Sequence, residues 1–561
     1  MTTPADDRAQ RRTTRPSAQR DPATPPPHVL QQVNGRVLDP GTALVVKGVS
    51  PGSTVYVGPR LTISRTLDVP RVLAQLREVA DELGWDLESE DAERELAEHR
   101  KRYGLVRVGI GVKDQRAALA PDGWVLLQQA RARFGIEAMR GVGLDHIVTL
   151  RSGHGAEPTD PSSRPIHEPD TVEPDPIHEP DPIHEPDPIH EPDPIHEPDP
   201  IHEPDPSGAT SSAAVASYGR QGSGGRQPVT YVGPAPLRRP DCEFETSRRP
   251  VVAVIDTGCG EHAWLDGIVH MDVTLDGNPI GYTDDSTDPE RWPDQVGALD
   301  GGIDPYAGHG TFICGLVRQG CPDADIVAWR IVSSSGPIIE SDLVDALSDI
   351  AEVARRYRDG EEGGHPIDVL SLSMGYYHET PEDELFDPTM SDILRLLGEC
   401  GTIVVCSAGN DATARPMFPA AFAPWADGHG TVQPDASCVP VVSVGALNPN
   451  GTDALFTNTG PWVRCYAPGA AVLSTLPPFQ GGLQPIARTV AYQRVRESLD
   501  PDDYTGHFAV WSGTSFAAPF FAGLLAADLL GSLGSAGSPA SRADAVSRGW
   551  NAVAGRTDLT P

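Results

Sequence analysis

Beyond about residue 229, short apolar runs alternate with helix-patterned stretches. The runs are "RPVVAVIDTG", "ADIVAWRIV", "IDVLSLSMG", "GTIVVCSAGN" and "VPVVSVGAL". Each holds an unbroken apolar or small stretch, and most give way to Gly, Asn or Asp. An unbroken apolar strand has no face for water. Runs of this kind separated by helices predict a mostly parallel sheet with helices on both faces. Ligands of such sheets bind beyond the carboxyl ends of the strands, so the polar residue ending each run marks where a site is expected.

Residues of about 40–150 carry another pattern. "TALVVKG", "STVYVG" and "RLTISR" have the β-branched composition of strands between Gly/Pro turns. Val72, Leu73, Leu76, Val79, Ala80 and Leu83 fall on one helical face, with Asp68 placed as N-cap and Gly84 as the stop. A charged helix at about 90–103, a strand at 105–111, a helix in "PDGWVLLQQARARFG" and a closing strand in "GVGLDHIVTL" complete a small α/β domain, set at 36–150. It contains no catalytic cluster.

Residues 1–35 are polar, charged and Pro-rich, the composition of a disordered tail. Residues 151–228 read as a disordered linker. They hold six copies of "PIHEPD", one at 165–170 and five in tandem at 176–205. Two prolines in every six residues favour polyproline II. Successive histidines then share one side about 19 Å apart, too far to share a metal ion. The reading is a semi-rigid acidic spacer, and it leaves 229–561 as one large domain.

Composition narrows the function classes. A net charge of −35 over 561 residues repels phosphates and excludes a nucleic-acid partner. No stretch reaches the roughly 18 apolar residues of a membrane span. The N-terminus has an Arg-Arg pair but no apolar segment after it, so the expected compartment is the cytoplasm. The eight cysteines, from Cys242 to Cys465, have no metal-site spacing and read as reduced thiols.

The chemistry sits at the run ends. Asp256 closes the first run and Asn410 another. His309 precedes an apolar helical pattern of Phe312, Ile313, Leu316 and Val317, and Ser515 opens the apolar helix in "VWSGTSFAAPFFAGLLAADLL". A serine hydroxyl becomes a nucleophile when a neutral imidazole takes its proton, and a carboxylate fixes that imidazole's tautomer and steadies the imidazolium. The developing oxyanion needs fixed donors such as an amide, and a helix N-terminus adds a favourable dipole. "AGHGT" at 307–311 has a near copy, "DGHGT" at 427–431. His429 is followed by "TVQPDASCVP", with an early proline and no apolar helix face, so His309 is the expected base and His429 a loop residue.

In this order the motifs resemble the subtilisin-like serine peptidase family over residues 250–530: "AVIDTG" its aspartate motif, "GHGTFICGLV" its histidine motif, "SAGN" its oxyanion motif and "SGTSFAAP" its serine motif. The resemblance implies a serine endopeptidase working through an acyl-enzyme. Asp256, His309 and Ser515 would be the triad, and Asn410 with the Ser515 N–H the oxyanion hole. It also implies a protein or peptide substrate added as a strand against "SLSMG". Ser373 and Gly375 would line the first pocket, and Ser407, Ala408 and Gly409 the opposite wall. Tyr376 stands where the family often has glycine, and a long stretch precedes the serine motif. Both would reshape the cleft. Cys259 and Cys314, beside the Asp and His motifs, read as packed thiols.

The mechanism requires no cofactor. Family members often bind calcium for stability, and "YTDDSTDPE" is the kind of acidic loop that would hold it. Without EF-hand spacing it reads as an exposed loop, and no calcium ligand is assigned. Residues 36–150 read either as an inhibitory pro-domain or as a domain for a regulatory partner. Family pro-domains are small N-terminal α/β units, but they abut the peptidase, and here a long linker intervenes. The competing reading is a catalytically silent peptide-binding module, against which the complete set of motifs argues.

Overall fold

The computed structural model describes residues 22, 24, 25, 27–89, 96–113, 119–150, 226–229, 232–296, 303–334, 336–380, 388–426, 431–480, 488–497, 504–534 and 541–561. The N-terminal part runs α1 (Pro27–Gln32), β1 (Gly35–Leu38), β2 (Thr54–Ser64), α2 (Val69–Leu83), β3 (Trp85–Ser89), α3 (Glu98–Tyr103), β4 (Leu105–Val112), α4 (Gly123–Phe134) and β5 (Val142–Leu150). Its strands pair antiparallel in the order β5-β2-β4-β3, with β1 also on β2. Leu61, Ile63, Leu76, Trp85, Val108, Leu126 and Leu127 form its core. The Asp68 carboxylate accepts from the Arg71 N–H at 3.3 Å, and Gly84 at φ 72° ends α2 in the left-handed region open to glycine.

Several expectations change here. "STVYVG" and "RLTISR" are one strand, β2, with a register shift between Tyr56 and Leu61. "TALVVKG" forms no strand because α4 takes its backbone groups: Trp124 Nε1 donates to the Leu44 carbonyl at 2.8 Å, and the Gln128 side chain accepts from the Val46 N–H at 3.3 Å. "WDLES" adds the unanticipated β3, and the charged helix is short, with residues 90–95 outside the described ones. Within the tail expected at 1–35, Pro27–Gln32 is helical, and a Cβ at Gly35 would stand 2.7 Å from Ile147 and 3.0 Å from Leu30. Residues 1–21, 23 and 26 lie outside the described residues.

The larger part comprises β6 (Val251–Asp256), β7 (Val269–His270), α5 (His309–Gly320), β8 (Asp325–Arg330), β9 (Ile338–Ile339), α6 (Glu340–Asp359), β10 (Val369–Leu372), β11 (Met374–Gly375), α7 (Pro388–Glu399), β12 (Ile403–Ser407), β13 (Val442–Leu447), β14 (Cys465–Pro468), β15 (Val472–Thr475), β16 (Phe508–Trp511), α8 (Thr514–Leu529) and α9 (Arg542–Arg556). Its central sheet is parallel, in the order β14-β13-β12-β10-β6-β8-β7. The five apolar runs supply β6, β8, β10, β12 and β13. Val252 and Val254 join the core under α5 and α8, while Val251, Ala253 and Ile255 join the core under α6 and α7. Burial on both faces is why these runs do not alternate. This is the α/β architecture the pattern predicted.

The peptidase-side chain begins before residue 229. Gln227–Pro228 pair with Val510 and Ala509, and the Arg226 guanidinium donates to the carbonyls of Ala307 (2.6 Å) and Asp304 (3.1 Å) over the Trp511 ring. The PIHEPD copies lie in 151–225, outside the described residues.

The two parts share strands. Ile147 and Val148 of β5 pair antiparallel with Ile339 and Ile338, and Thr149 and Leu150 pair antiparallel with Gly375 and Met374 of β11. Charge complementarity surrounds this junction. Asp342, Asp345 and Asp349 recur on one face of α6. Arg107 bonds Ser341, Asp342 and Asp345 at 2.8–3.0 Å, while His99 and Arg100 both reach Asp349 at 2.8 Å.

Candidate active site

Asp256 is the last residue of β6 and is fully buried. Its Oδ1 accepts from the Thr257 N–H (2.8 Å), the Thr257 hydroxyl (3.1 Å) and His309 Nδ1 (2.7 Å). His309 is the first residue of α5, entered through Gly308 at φ 77°. Gly310 brings the helix against the aspartate loop. A Cβ there would stand 2.0 Å from the Gly258 carbonyl oxygen, so only glycine permits this approach. The His309 ring lies edge-on to Trp511 and 5.2 Å from Phe516. Its Nε2 is buried with no hydrogen-bond partner among the described residues.

Ser515 sits in the first turn of α8, next to Phe516, and is fully buried. Its hydroxyl donates to the Ser373 carbonyl at 3.2 Å, and the Ser373 hydroxyl donates to the Ser515 carbonyl at 2.9 Å. These reciprocal bonds tie the start of α8 to "SLSMG". Asn410 Oδ1 accepts from the Thr514 N–H (2.9 Å) and hydroxyl (2.8 Å). Two donors on that atom fix it as the oxygen, which assigns the other branch of the amide as the Nδ2 donor. The Gly409 N–H donates to the Thr514 hydroxyl at 3.0 Å.

The loop carrying Ser407, Ala408, Gly409 and Asn410 leaves the carboxyl end of β12. Buried Asn458 holds it: Nδ2 donates to the Ala408 carbonyl (2.8 Å), and Oδ1 accepts from Asp411 N (3.0 Å) and Thr413 N (3.3 Å). Gly409 has φ 101°, and a Cβ there would meet Asn458 Nδ2 at 2.4 Å. Gly375 pairs with Thr149 of β5, so the strand assigned to substrate carries the end of the N-terminal part. Buried Tyr376 stacks on His146 at 4.7 Å and exchanges backbone bonds with Phe418. The residue that departs from the usual glycine therefore faces the N-terminal part. His429 lies outside the described residues. Cys314 is buried, and the neighbouring Cys259 sulfur together with burial pushes its thiol well up, an unreactive setting.

Glu290 was not anticipated. It ends "YTDDSTDPE", read as an exposed loop, yet it is only 4% exposed. Its carboxyl bonds the hydroxyls of Thr257 and Thr311 and the Gly310 N–H, directly behind the Asp256–His309 pair. Nothing in an acidic stretch marks which carboxyl turns inward. Elsewhere in the loop, Asp284 caps the turn at Thr287 and pairs with Arg330, and Asp285 pairs with Arg291.

Burial pushes the Glu290 carboxyl up to about 8, against the pull of its two threonine bonds. The unfolded chain ionises near 4.5 and so binds fewer protons than the fold between 4.5 and about 8. Stability therefore falls as pH rises through that window and levels off above it. Glu290→Gln should flatten this fall, read as thermal midpoints at pH 5 and pH 8. Equal slopes for both proteins would contradict the buried neutral carboxyl.

The family profile described as "Subtilase family" (peptidase S8) matches residues 247–531, half of the chain. The Extracellular protease of Xanthomonas campestris pv. campestris is 27% identical over 315 residues, 51% of this chain and 45% of that protein. The Intracellular serine protease of Paenibacillus polymyxa is 25% identical over 290 residues, 49% of this chain and 65% of that protein. The chain thus spans about half to two thirds of these relatives. Among solved structures, fervidolysin from Fervidobacterium pennivorans shares 16% identity, with a TM-score of 0.41 over 87% of this chain and 56% of that one. The cytoplasmic expectation is overturned, since relatives named extracellular, from Xanthomonas campestris and Dichelobacter nodosus, match 51% and 56% of this chain. The short polar N-terminus does not assign a compartment. No helix among the described residues is long and apolar enough to cross a membrane. From Asp256 to Ser515, and across the half of its length that the profile matches, the chain belongs to the subtilase family of serine peptidases.

Proposed function

We propose that the chain is a serine endopeptidase hydrolysing peptide bonds in proteins, with Asp256, His309 and Ser515 as its triad. The observation that carries this reading is the 2.7 Å bond from His309 Nδ1 to Asp256, which leaves Nε2 as the proton acceptor of a ring 5.2 Å from that of Phe516, the residue after Ser515. Ser515 Oγ attacks the scissile carbonyl carbon while its proton passes to Nε2. The carbonyl oxygen becomes an oxyanion between the Asn410 amide and the Ser515 N–H, aided by the N-terminal dipole of α8. The imidazolium then protonates the departing amine, leaving an acyl-enzyme. Water enters, gives its proton to Nε2, and the reverse transfer restores Ser515. No step needs a cofactor. Labelling with a fluorophosphonate, which loses fluoride to the attacking oxygen, tests the nucleophile. The label should map to Ser515. A folded chain that takes up none is either held shut by its N-terminal part or a silent peptide-binding module, and only the second stays unlabelled when docking is loosened by Arg100→Glu with Arg107→Glu.

A second element of the reading is restraint by the N-terminal part. Thr149 and Leu150 pair with Gly375 and Met374, where an extended substrate would add its strand. In this state the Ser515 hydroxyl is held on the Ser373 carbonyl and His309 Nε2 has no partner among the described residues, so the hydroxyl must leave that carbonyl before it bonds His309. Residues 36–150 then act as an inhibitory domain, of the pro-domain kind, on the peptidase. Arg100→Glu with Arg107→Glu sets like charges against Asp342, Asp345 and Asp349. Losing two such partly exposed contacts should weaken docking enough to raise the initial rate on an added peptide by about tenfold. An unchanged rate would separate this domain from control of the cleft.

A further inference from the structure

Where β5 meets the peptidase part, four titratable side chains converge in a buried pocket unconnected with the triad. His146 comes from β5, Glu340 opens α6, and His378 with Glu379 follows β11. All four are at most 3% exposed at the side chain. We propose that this junction is a divalent-metal site, with His146, His378 and Glu379 as ligands and Glu340 as the carboxylate that orients His146. Zinc is the ion it suits best.

One ligand atom from each of His146, His378 and Glu379 lies within 4.8 Å of the others. His146 Nε2 is 2.7 Å, and His378 Nδ1 3.4 Å, from the same Glu379 Oε2. Ligands bonded at about 2.0–2.1 Å around a tetrahedral zinc stand roughly 3.3 Å from one another, so small side-chain shifts complete the set. The second nitrogen of His146, Nδ1, contacts Glu340 Oε2 at 2.5 Å. A carboxylate on the far nitrogen is the usual partner of a metal-bound imidazole. It places the proton on Nδ1 and leaves the Nε2 lone pair for the ion.

A separate observation points the same way. Glu379 Oε1 and Glu340 Oε1 are buried with no hydrogen-bond partner among the described residues. Buried carboxylate oxygens without donors are costly, and a cation beside them removes that cost. Two imidazoles with a carboxylate favour zinc or a similar first-row ion over calcium, which takes oxygen ligands. Competing contacts include the Thr380 N–H on His378 Nδ1 at 3.2 Å, a neutral bond that coordination would replace, and the buried Arg131 charge that acts on both His378 and Glu379.

The ion would link one residue of the N-terminal part to two that follow the β11 strand, clamping β5 onto Met374–Gly375. The site itself does not depend on the peptidase reading. The test uses the full chain carrying Ser515→Ala, so that self-cleavage cannot remove β5. After stripping with a chelator, zinc is titrated calorimetrically and cobalt by its visible absorption. The expected result is one tight equivalent, lost in His146→Ala and in His378→Ala. Glu340→Gln, which removes no ligand and so should fold, should weaken it about 10–100-fold. Hydrogen exchange of the Met374–Gly375 amides should slow when zinc is added. No tight zinc in the folded chain would mean that a proton alone holds His146 between its carboxylates. Tight zinc surviving in the two histidine variants, or affinity unmoved in Glu340→Gln, would move the metal elsewhere, the PIHEPD histidines included. Each of these overturns the proposal.

Discussion

Ser515→Ala and His309→Ala should each lower kcat by roughly 10⁶-fold, a figure that comes from a subtilisin. His429→Ala should leave it unchanged. In the proposed triad the two effects are equally large because the hydroxyl is a weak nucleophile until an imidazole takes its proton, so neither residue would work without the other. His309 makes its bond to Asp256 at the end of β6, beside the start of α8. The sequence after His429 lacks the apolar helical pattern that follows His309. Measured kcat of purified variants on one peptide substrate settles this. A large loss in His429→Ala with normal activity in His309→Ala would exchange their roles.

Asn410→Ala should lower kcat by about 10²–10³, or roughly 2.7–4 kcal/mol, with little change in KM; this magnitude too was measured in a subtilisin. A donor in the proposed oxyanion hole would stabilise charge that exists only in the transition state, so the ground-state complex would hardly feel its loss. Asn410 also anchors the chain, since its Oδ1 accepts from Thr514 immediately before Ser515. Asn410→Asp separates the two. It keeps an acceptor for Thr514, removes the Nδ2 donor and adds a charge that repels the oxyanion. Both variants should therefore be slow. An Asp variant near wild-type rate would make Asn410 an anchor for α8 rather than an oxyanion donor.

The docked N-terminal part changes how such rates are read. With Thr149 and Leu150 paired along β11, a full-length chain and one loosened at Arg100 and Arg107 should differ in the fraction of sites open to substrate. Variants of the triad are best compared in the same docking state. A zinc-dependent rate on top of this would connect the His146 cluster to the same restraint.

The sequence by itself determined the parallel sheet and which elements carry the candidate residues. Short unbroken apolar runs between helical patterns suit strands buried on both faces, so the places of Asp256 at a strand end and of His309 and Ser515 at helix starts were legible from local pattern and order. Asp68 and Gly84 were legible for the same reason, as caps act within one helical turn. Tertiary structure decided what depends on distant partners. "TALVVKG" lost its strand to α4 side chains 80 or more residues away, Glu290 turned inward only where Thr257 and Thr311 meet, and β5 found its partners at Ile338–Ile339 and Met374–Gly375. His146 gains its meaning only from Glu340, His378 and Glu379. Propensity and periodicity report a residue's near neighbours along the chain. A hydrogen bond or a coordination set is fixed by which segments the fold brings together, and that information lies in no single stretch of sequence.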